Sequence, residues 1–179
     1  MNNLPKMICF DMDGTISQLY AVPNWLARLN AQDPTPYLEA EAMWNMAQLV
    51  KILSALQNLG VEIRIITWLS KESTEEYKNA VREAKRKWLE NYDFPYDHFH
   101  GVQYGATKAD SIRKALAPDE TAWLIDDNAK VRKGWHMGEA IDPTNVDLLE
   151  LLSSLLDWER KEKNKKFSKT YWQTPFDVI

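Results

Sequence analysis

The stretch Met7-Ile8-Cys9-Phe10-Asp11-Met12-Asp13-Gly14-Thr15 decides how the rest of the chain is read. An unbroken apolar run, closed by a turn signal, is how a strand buried on both faces reads. Asp13-Gly14-Thr15 supplies that turn, glycine being free to take positive φ. The pattern recurs further along. Val61-Glu62-Ile63-Arg64-Ile65-Ile66-Thr67 is rich in β-branched residues and ends on a hydroxyl. Thr121-Ala122-Trp123-Leu124-Ile125 ends at Asp126-Asp127. His98 to Val102 and Ala140-Ile141 read as two weaker strands.

Helical patterns fill the spaces between. Pro23 to Leu29 fits one short helix, and Asp33-Pro34-Thr35-Pro36 breaks the chain after it. From Tyr37 to Leu59 the residues Leu38, Ala42, Met46, Leu49, Ile52, Leu53 and Leu56 recur at helical spacing, with Gly60 as a stop. Ser73 to Trp88 is a second helix, its cap Ser73 or Thr74, with a capping box to Glu76 if Ser73 is the cap. Shorter helices are expected over Thr107–Leu116 and Asn128–Met137, and a last one from Asn145 to about Glu159. Strands alternating with helices predict a Rossmann-like three-layer α/β/α fold with a mostly parallel sheet. One domain is expected over residues 1–160, with 16–36 as a flap or minimal cap and 161–179 as a C-terminal tail.

Composition narrows the class. The 179 residues are 45% hydrophobic and 27% charged, which suits a globular domain rather than a disordered chain. No run is long and apolar enough for a transmembrane helix, and Met1 to Phe10 does not read as a secretory leader. A single cysteine, Cys9, makes no internal disulfide, so a reducing, cytoplasmic setting is expected; in a buried strand it reads as inert core. The net charge of −4 argues against nonspecific binding to nucleic acid. Six glycines leave little for a glycine-rich phosphate loop, which directs attention to carboxylates and a metal.

In an open parallel sheet, ligands sit at the carboxyl ends of the strands. Those ends carry Asp11 and Asp13, Thr67, and Asp126-Asp127, while Lys108 opens the helix before the last of them. Each alone has an ordinary reading: turn former, helix cap, strand hydroxyl or surface cation. Together they place four acids, a hydroxyl and an ammonium at one edge of the sheet. Acids so clustered repel one another, and a hard cation such as Mg²⁺ with oxygen ligands would relieve them.

Phe10-Asp11-Met12-Asp13-Gly14-Thr15 resembles the first signature of the haloacid dehalogenase (HAD) superfamily of phosphohydrolases. Thr67, Lys108 and Leu124-Ile125-Asp126-Asp127-Asn128 resemble its second, third and fourth motifs, in family order, at separations of 56, 41 and 18 residues. The resemblance spans about residues 6–157 and implies a HAD-like fold. It implies that Asp11 is the nucleophile of an aspartyl-phosphate pathway and that Asp13 is the general acid and base. It also implies Thr67 as a donor to the phosphoryl group and Lys108 as its counter-charge. Mg²⁺ would be held by Asp11, by Asp13 through its carbonyl, and by Asp126 and Asp127, with Asp127 favoured as the direct ligand. An acid at position 13 separates phosphatases from the dehalogenases of the superfamily. A HAD-like phosphate-binding module without turnover is the alternative from another class. A receiver domain uses similar groups but in a different chain order.

The spacing leaves room only for a small or absent cap. A small cap admits a nucleotide or other small phosphomonoester. An open site admits a polynucleotide end or a phosphoprotein. The two-acid ending resembles the small deoxyribonucleotidases and favours a nucleotide. Tyr20, Trp25, Arg28 and Trp44 could stack and clamp one, although Trp25 and Trp44 read more readily as core. Lys78, Arg82, Lys85, Arg86 and Lys87, interleaved with glutamates, read as a solvated, salt-bridged helix face; a polynucleotide track with the basic stretch Lys161 to Lys169 is the less favoured reading. His98 and His100 share a face without a metal-site spacing. Membrane association is not expected, and the oligomeric state is left open.

Overall fold

The computed structural model describes residues 4–71 and 73–171; for residues 159, 160 and 162–171 this covers the backbone alone. Residues 172–179 of the expected C-terminal tail lie outside the described residues. Five strands form one parallel sheet: β1 (Met7–Phe10), β2 (Glu62–Trp68), β3 (His98–Val102), β4 (Ala122–Ile125) and β5 (Ala140–Ile141), in the order β3-β2-β1-β4-β5. The central strand β1 sets Phe10 beside Ile65 of β2 and Ile125 of β4.

Side-chain alternation feeds two cores. Ile8 and Phe10 of β1, Ile63 and Ile65 of β2, and Trp123 and Ile125 of β4 enter one; Met7, Cys9, Ile66, Ala122 and Leu124 enter the other. Both faces of β1 are therefore buried, which is why its sequence is an unbroken apolar run. Burial pushes the Cys9 thiol up to about 12, in keeping with an inert core residue.

The helices are α1 (Trp25–Asn30), α2 (Thr35–Glu39), α3 (Met46–Asn58), α4 (Glu75–Asn91), α5 (Ala129–Lys133) and α6 (Leu148–Tyr171). The single helix expected over residues 37–59 is in fact two, α2 and α3. Residues between them pair with the loop after β1 instead: Met43 N–H donates to Ile16 O at 3.0 Å and Gln18 N–H to Glu41 O at 2.8 Å. Asn45 then caps α3 through Gln48 N–H. Thr74, not Ser73, caps α4, accepting from Tyr77 N–H, so the capping box to Glu76 is absent. The expected helix over 107–116 is two 3-10 turns, Lys108–Ser111 and Arg113–Ala115. Helix α5 stops at Gly134, short of the expected Met137, and α6 runs past Glu159 to Tyr171. Among the described residues no helix is long and apolar enough to cross a membrane.

The order β3-β2-β1-β4-β5 fixes the position of the site. The chain steps outward from β1 through β2 to β3, then returns to the other side of β1 with β4. Where that reversal occurs, the loops after β1 and β4 lie side by side at the strands' carboxyl ends, the edge at which an open parallel sheet places its ligands.

Candidate active site

The six residues singled out by spacing gather at that edge in two neighbouring groups, Asp11, Asp126, Asp127 and Lys108 in one and Asp13 and Thr67 in the other. Asp11 continues the ladder past β1, its N–H donating to Ile125 O at 2.9 Å, and this sets its carboxylate beside the loop after β4. The chain then turns tightly, with Ile16 and Ser17 N–H both donating to Met12 O at 2.9 Å. Gly14 holds φ +78° at the turn, and a Cβ there would stand 2.5 Å from Oδ2 of Asp127. Glycine is required twice over, by backbone conformation and by the carboxylate against it. Thr15, fully buried, accepts the N–H of Asp127 at 3.1 Å through Oγ1 and so joins the two acid-bearing loops.

Asp11, Asp126 and Asp127 each present an oxygen within 4.8 Å of the others. Lys108 is buried beneath them, its Nζ 2.8 Å from Oδ1 of Asp11 and 2.7 Å from Oδ2 of Asp126. The other oxygen of Asp126 accepts Asn128 N–H at 2.9 Å, so both its oxygens are engaged. Burial, reinforced by the charge of Asp11, pushes the Asp126 and Asp127 carboxyls up to about 6, against the pull of Lys108. Burial opposes the charge on Lys108, but Asp11 and Asp126 outweigh it and hold its ammonium above the ordinary lysine range. Three carboxylates with one ammonium leave negative charge in excess. Such a donor set suits a hard divalent cation, and the crowding that raises the two carboxyls is what a cation would relieve.

Asp13 faces another way. Its side chain is outside the carboxylate cluster and is directed to Lys85 on α4, with Nζ 2.6 Å from Oδ2. Its Oδ1 is buried and has no hydrogen-bond partner. Burial raises the Asp13 carboxyl above its ordinary range, more than Lys85 lowers it. Lys85 also donates to Thr67 Oγ1 at 2.6 Å and to Trp68 O at 3.1 Å.

Lys85 is the site residue that the sequence reading missed, assigning it to a solvated basic face. It is fully buried. Its position carried a signal: Tyr77, Val81, Ala84, Trp88 and Leu89 form the buried stripe of α4, and Lys85 falls within it. Of the other basic residues, Lys78 and Lys87 pair with Glu75 and Glu90 at 2.6 and 3.6 Å as expected, whereas Arg82 donates to Asn79 Oδ1 and Arg86 stands over the ring of Phe99.

Above the acids lies a cavity of about 600 Å³ with an aromatic mouth. Tyr20, Trp25, Leu29, Tyr37, Trp68 and Tyr104 line it, with Asp11 and Asp13 at its floor. Tyr20 and Trp25 pack edge to face at 5.1 Å, and Trp68 tilts against Tyr104 at 5.0 Å. Trp25 is half-buried: it packs against the cluster of Leu19, Tyr37 and Leu69, as a core reading expects, and it also lines the mouth. Trp44 does pack against the core, and its indole N–H donates to Thr15 O at 2.8 Å. Arg28 faces no cavity group; its guanidinium is taken up by Asp33 at 2.8 Å and Glu39 at 2.6 Å. The segment carrying these residues is tied down to α4, since the Trp88 indole N–H donates to Ala40 O at 2.7 Å and Tyr77 O–H to Asp33 O at 3.1 Å.

Strand order and a solved neighbour together show a Rossmann-like α/β fold, with the acids placed at the carboxyl edge of its sheet. A chain of the Pnkp1/Rnl/Hen1 RNA repair complex superposes with a TM-score of 0.53 at 18% identity, over 79% of this chain and 43% of that one. This chain therefore spans less than half the length of that neighbour. A haloacid dehalogenase-like hydrolase from Streptococcus pneumoniae aligns at 17% identity over 81% of this chain and 91% of its own, with a TM-score of 0.49. The D,D-heptose 1,7-bisphosphate phosphatase from Burkholderia thailandensis aligns at 14% identity over 74% of each chain, with a TM-score of 0.44. No protein-family model and no curated protein matches the sequence.

Proposed function

We propose that the chain is a Mg²⁺-dependent phosphomonoester hydrolase that works through an aspartyl-phosphate on Asp11. The observation that carries this reading is the division of labour between two carboxylates two residues apart. Asp11 sits among Lys108, Asp126 and Asp127, while Asp13 is turned aside to Lys85 with one oxygen bare. A nucleophile must be ionised and a general acid must carry a proton, so the two need different surroundings.

The steps follow from those surroundings. Asp11 attacks phosphorus and the bond to the leaving oxygen breaks. Asp13, protonated on Oδ1, delivers its proton to that oxygen. Asp13 then takes a proton from water as water cleaves the acyl phosphate, which restores both residues. Thr67 donates to a phosphoryl oxygen, and Lys108 balances charge on Asp11 and on the phosphoryl group. A bound Mg²⁺ would be held by Asp11, Asp127 and Asp126, with the Asp13 carbonyl as a further ligand, and would supply charge neutralisation at the phosphoryl oxygens.

The aromatic mouth supports a nucleotide as substrate, since paired rings beside an anion site can stack a base while its phosphate meets the acids. A polynucleotide end is the second reading. It is favoured by the fold shared with a chain of an RNA repair complex and by the small size of the helices that border the mouth. The test is phosphate release from mononucleotides, sugar phosphates and 3′- and 5′-phosphorylated oligonucleotides, with Mg²⁺, with chelator, and with Asp11→Asn. Mg²⁺-dependent release that vanishes in the variant is expected. A folded protein that releases phosphate from none of them would shift the reading to a phosphate-binding module.

A further inference from the structure

We infer that Lys85 is a positioning residue that orients both the general acid and the phosphoryl donor without touching substrate; this rests on the hydrolase reading above. An ammonium has three hydrogens and accepts none. Those of Lys85 go to Asp13 Oδ2, Thr67 Oγ1 and the carbonyl of Trp68, at 2.6, 2.6 and 3.1 Å. The ring of Tyr37 closes another side, its centroid 4.8 Å from Nζ. No hydrogen is left over for a ligand.

Two consequences follow from the direction of these bonds. Thr67 Oγ1 is obliged to accept from Lys85, so its own hydrogen must point elsewhere, as a donor to a phosphoryl oxygen requires. Asp13 has Oδ2 occupied, so its free oxygen is Oδ1, the one buried side-chain oxygen left without a partner among the described residues. A proton on Asp13 is thereby steered to the oxygen that Lys85 does not hold. Lys85 reaches these groups from α4, while Lys108 serves Asp11 and Asp126 from another segment. The two lysines thus take three of the four acids, Lys108 holding the nucleophile with Asp126 and Lys85 holding the acid.

The test compares leaving groups. An alkyl phosphate needs a proton from the general acid as its bond breaks, whereas p-nitrophenyl phosphate leaves as a stable anion and needs it little. Asp13→Asn, Lys85→Met and the double variant are assayed on p-nitrophenyl phosphate and on the best alkyl substrate of the panel above, with Mg²⁺. Lys85→Met lowers kcat/KM on both substrates through Thr67, and on the alkyl phosphate by at least about tenfold more. Added to Asp13→Asn, it changes the ratio between substrates by less than about twofold, because the acid it orients is already gone. Equal losses on both substrates, or full additivity with Asp13→Asn, overturn the inference. A wild-type protein that hydrolyses neither substrate defeats the hydrolase reading itself, and the two failures are distinct. Lys85→Gln keeps two donors without the charge and carries the same comparison if the methionine variant folds poorly; it should recover part of the ratio. In the metal-free proteins, thermal midpoints give a readout apart from activity: the two single variants lower the midpoint by more in sum than the double variant does. Additive midpoint shifts would count against a shared pair.

Discussion

The ammonium of Lys108 stands 2.8 Å from Asp11 and is almost wholly excluded from solvent, between that residue and Asp126. A buried cation held by two carboxylates is costly to remove, because the acids are left facing one another. Lys108→Met should destabilise the metal-free protein by about 3–5 kcal/mol, read by chemical denaturation. Mg²⁺ should recover a larger share of that loss than it adds to wild type, since it restores charge at the same place. On the hydrolase reading, kcat falls by about 10²–10³. An undiminished denaturation midpoint in the variant would contradict the pairing.

Asp126 and Asp127 make a pH prediction whose sign is the reverse of the usual carboxylate case. Their carboxyls sit at about 6 in the folded protein against an ordinary 3.8. Between those values the folded metal-free chain binds protons that the unfolded chain does not. Its stability contribution from these groups is present at low pH and is lost as pH rises through about 6. The thermal midpoint should therefore rise on acidification across that window, and Asp127→Asn should flatten the slope. Mg²⁺ competes with the same protons, so it should raise the midpoint strongly near about pH 7.5 and little near about pH 5. A Mg²⁺ effect equal at both pH values would count against these carboxylates as ligands.

Gly14→Ala tests the turn. A Cβ would press within 2.5 Å of Asp127 Oδ2, at a φ of +78° that alanine adopts only under strain. A loss of about 1–3 kcal/mol in stability is expected. On the hydrolase reading, the Mg²⁺ concentration at half-maximal activity should rise with it, because Asp127 is displaced. Stability at the wild-type level would show that the turn relaxes freely.

Trp88→Phe tests the fastening of the segment over the mouth. It removes the bond to Ala40 O while keeping an aromatic ring in the core. About 1–2 kcal/mol should be lost, and protease cleavage within residues 31–45 should quicken before global unfolding. Unchanged cleavage in that stretch would mean that other contacts hold it.

The parts that were legible in the sequence were those fixed by local rules. β1 was visible because a central parallel strand is apolar on both faces, and the acids were placed by their position just after strands. Helix 37–59 was misread because spacing reports which residues are buried and not whether the backbone between them is continuous. Leu38 and Ala42 keep the helical period, yet Ala42 bridges Ser17 in an extended conformation. Lys85 was hidden for the opposite reason. On a helix crowded with lysines, arginines and glutamates its charge spoke for solvent, and only its register with Val81 and Leu89 spoke for the interior. For Trp25 the core contact was legible and the place at the mouth was not, because that mouth is built from segments distant in sequence, including Tyr104.

The bond from the Asp127 N–H to Thr15 Oγ1 spans 112 positions of the chain. It bears on the order of events in folding. Until β4 docks beside β1, the chain holds Asp11, Asp13, Thr67 and Lys85 but no carboxylate cluster, and Lys108 has only one of its two acids. Contacts of such long range form late, after the loop between them has been closed. A divalent cation offered to a refolding chain would thus find its ligands only once β4 has docked beside β1. It should slow unfolding while leaving the rate of folding nearly unchanged.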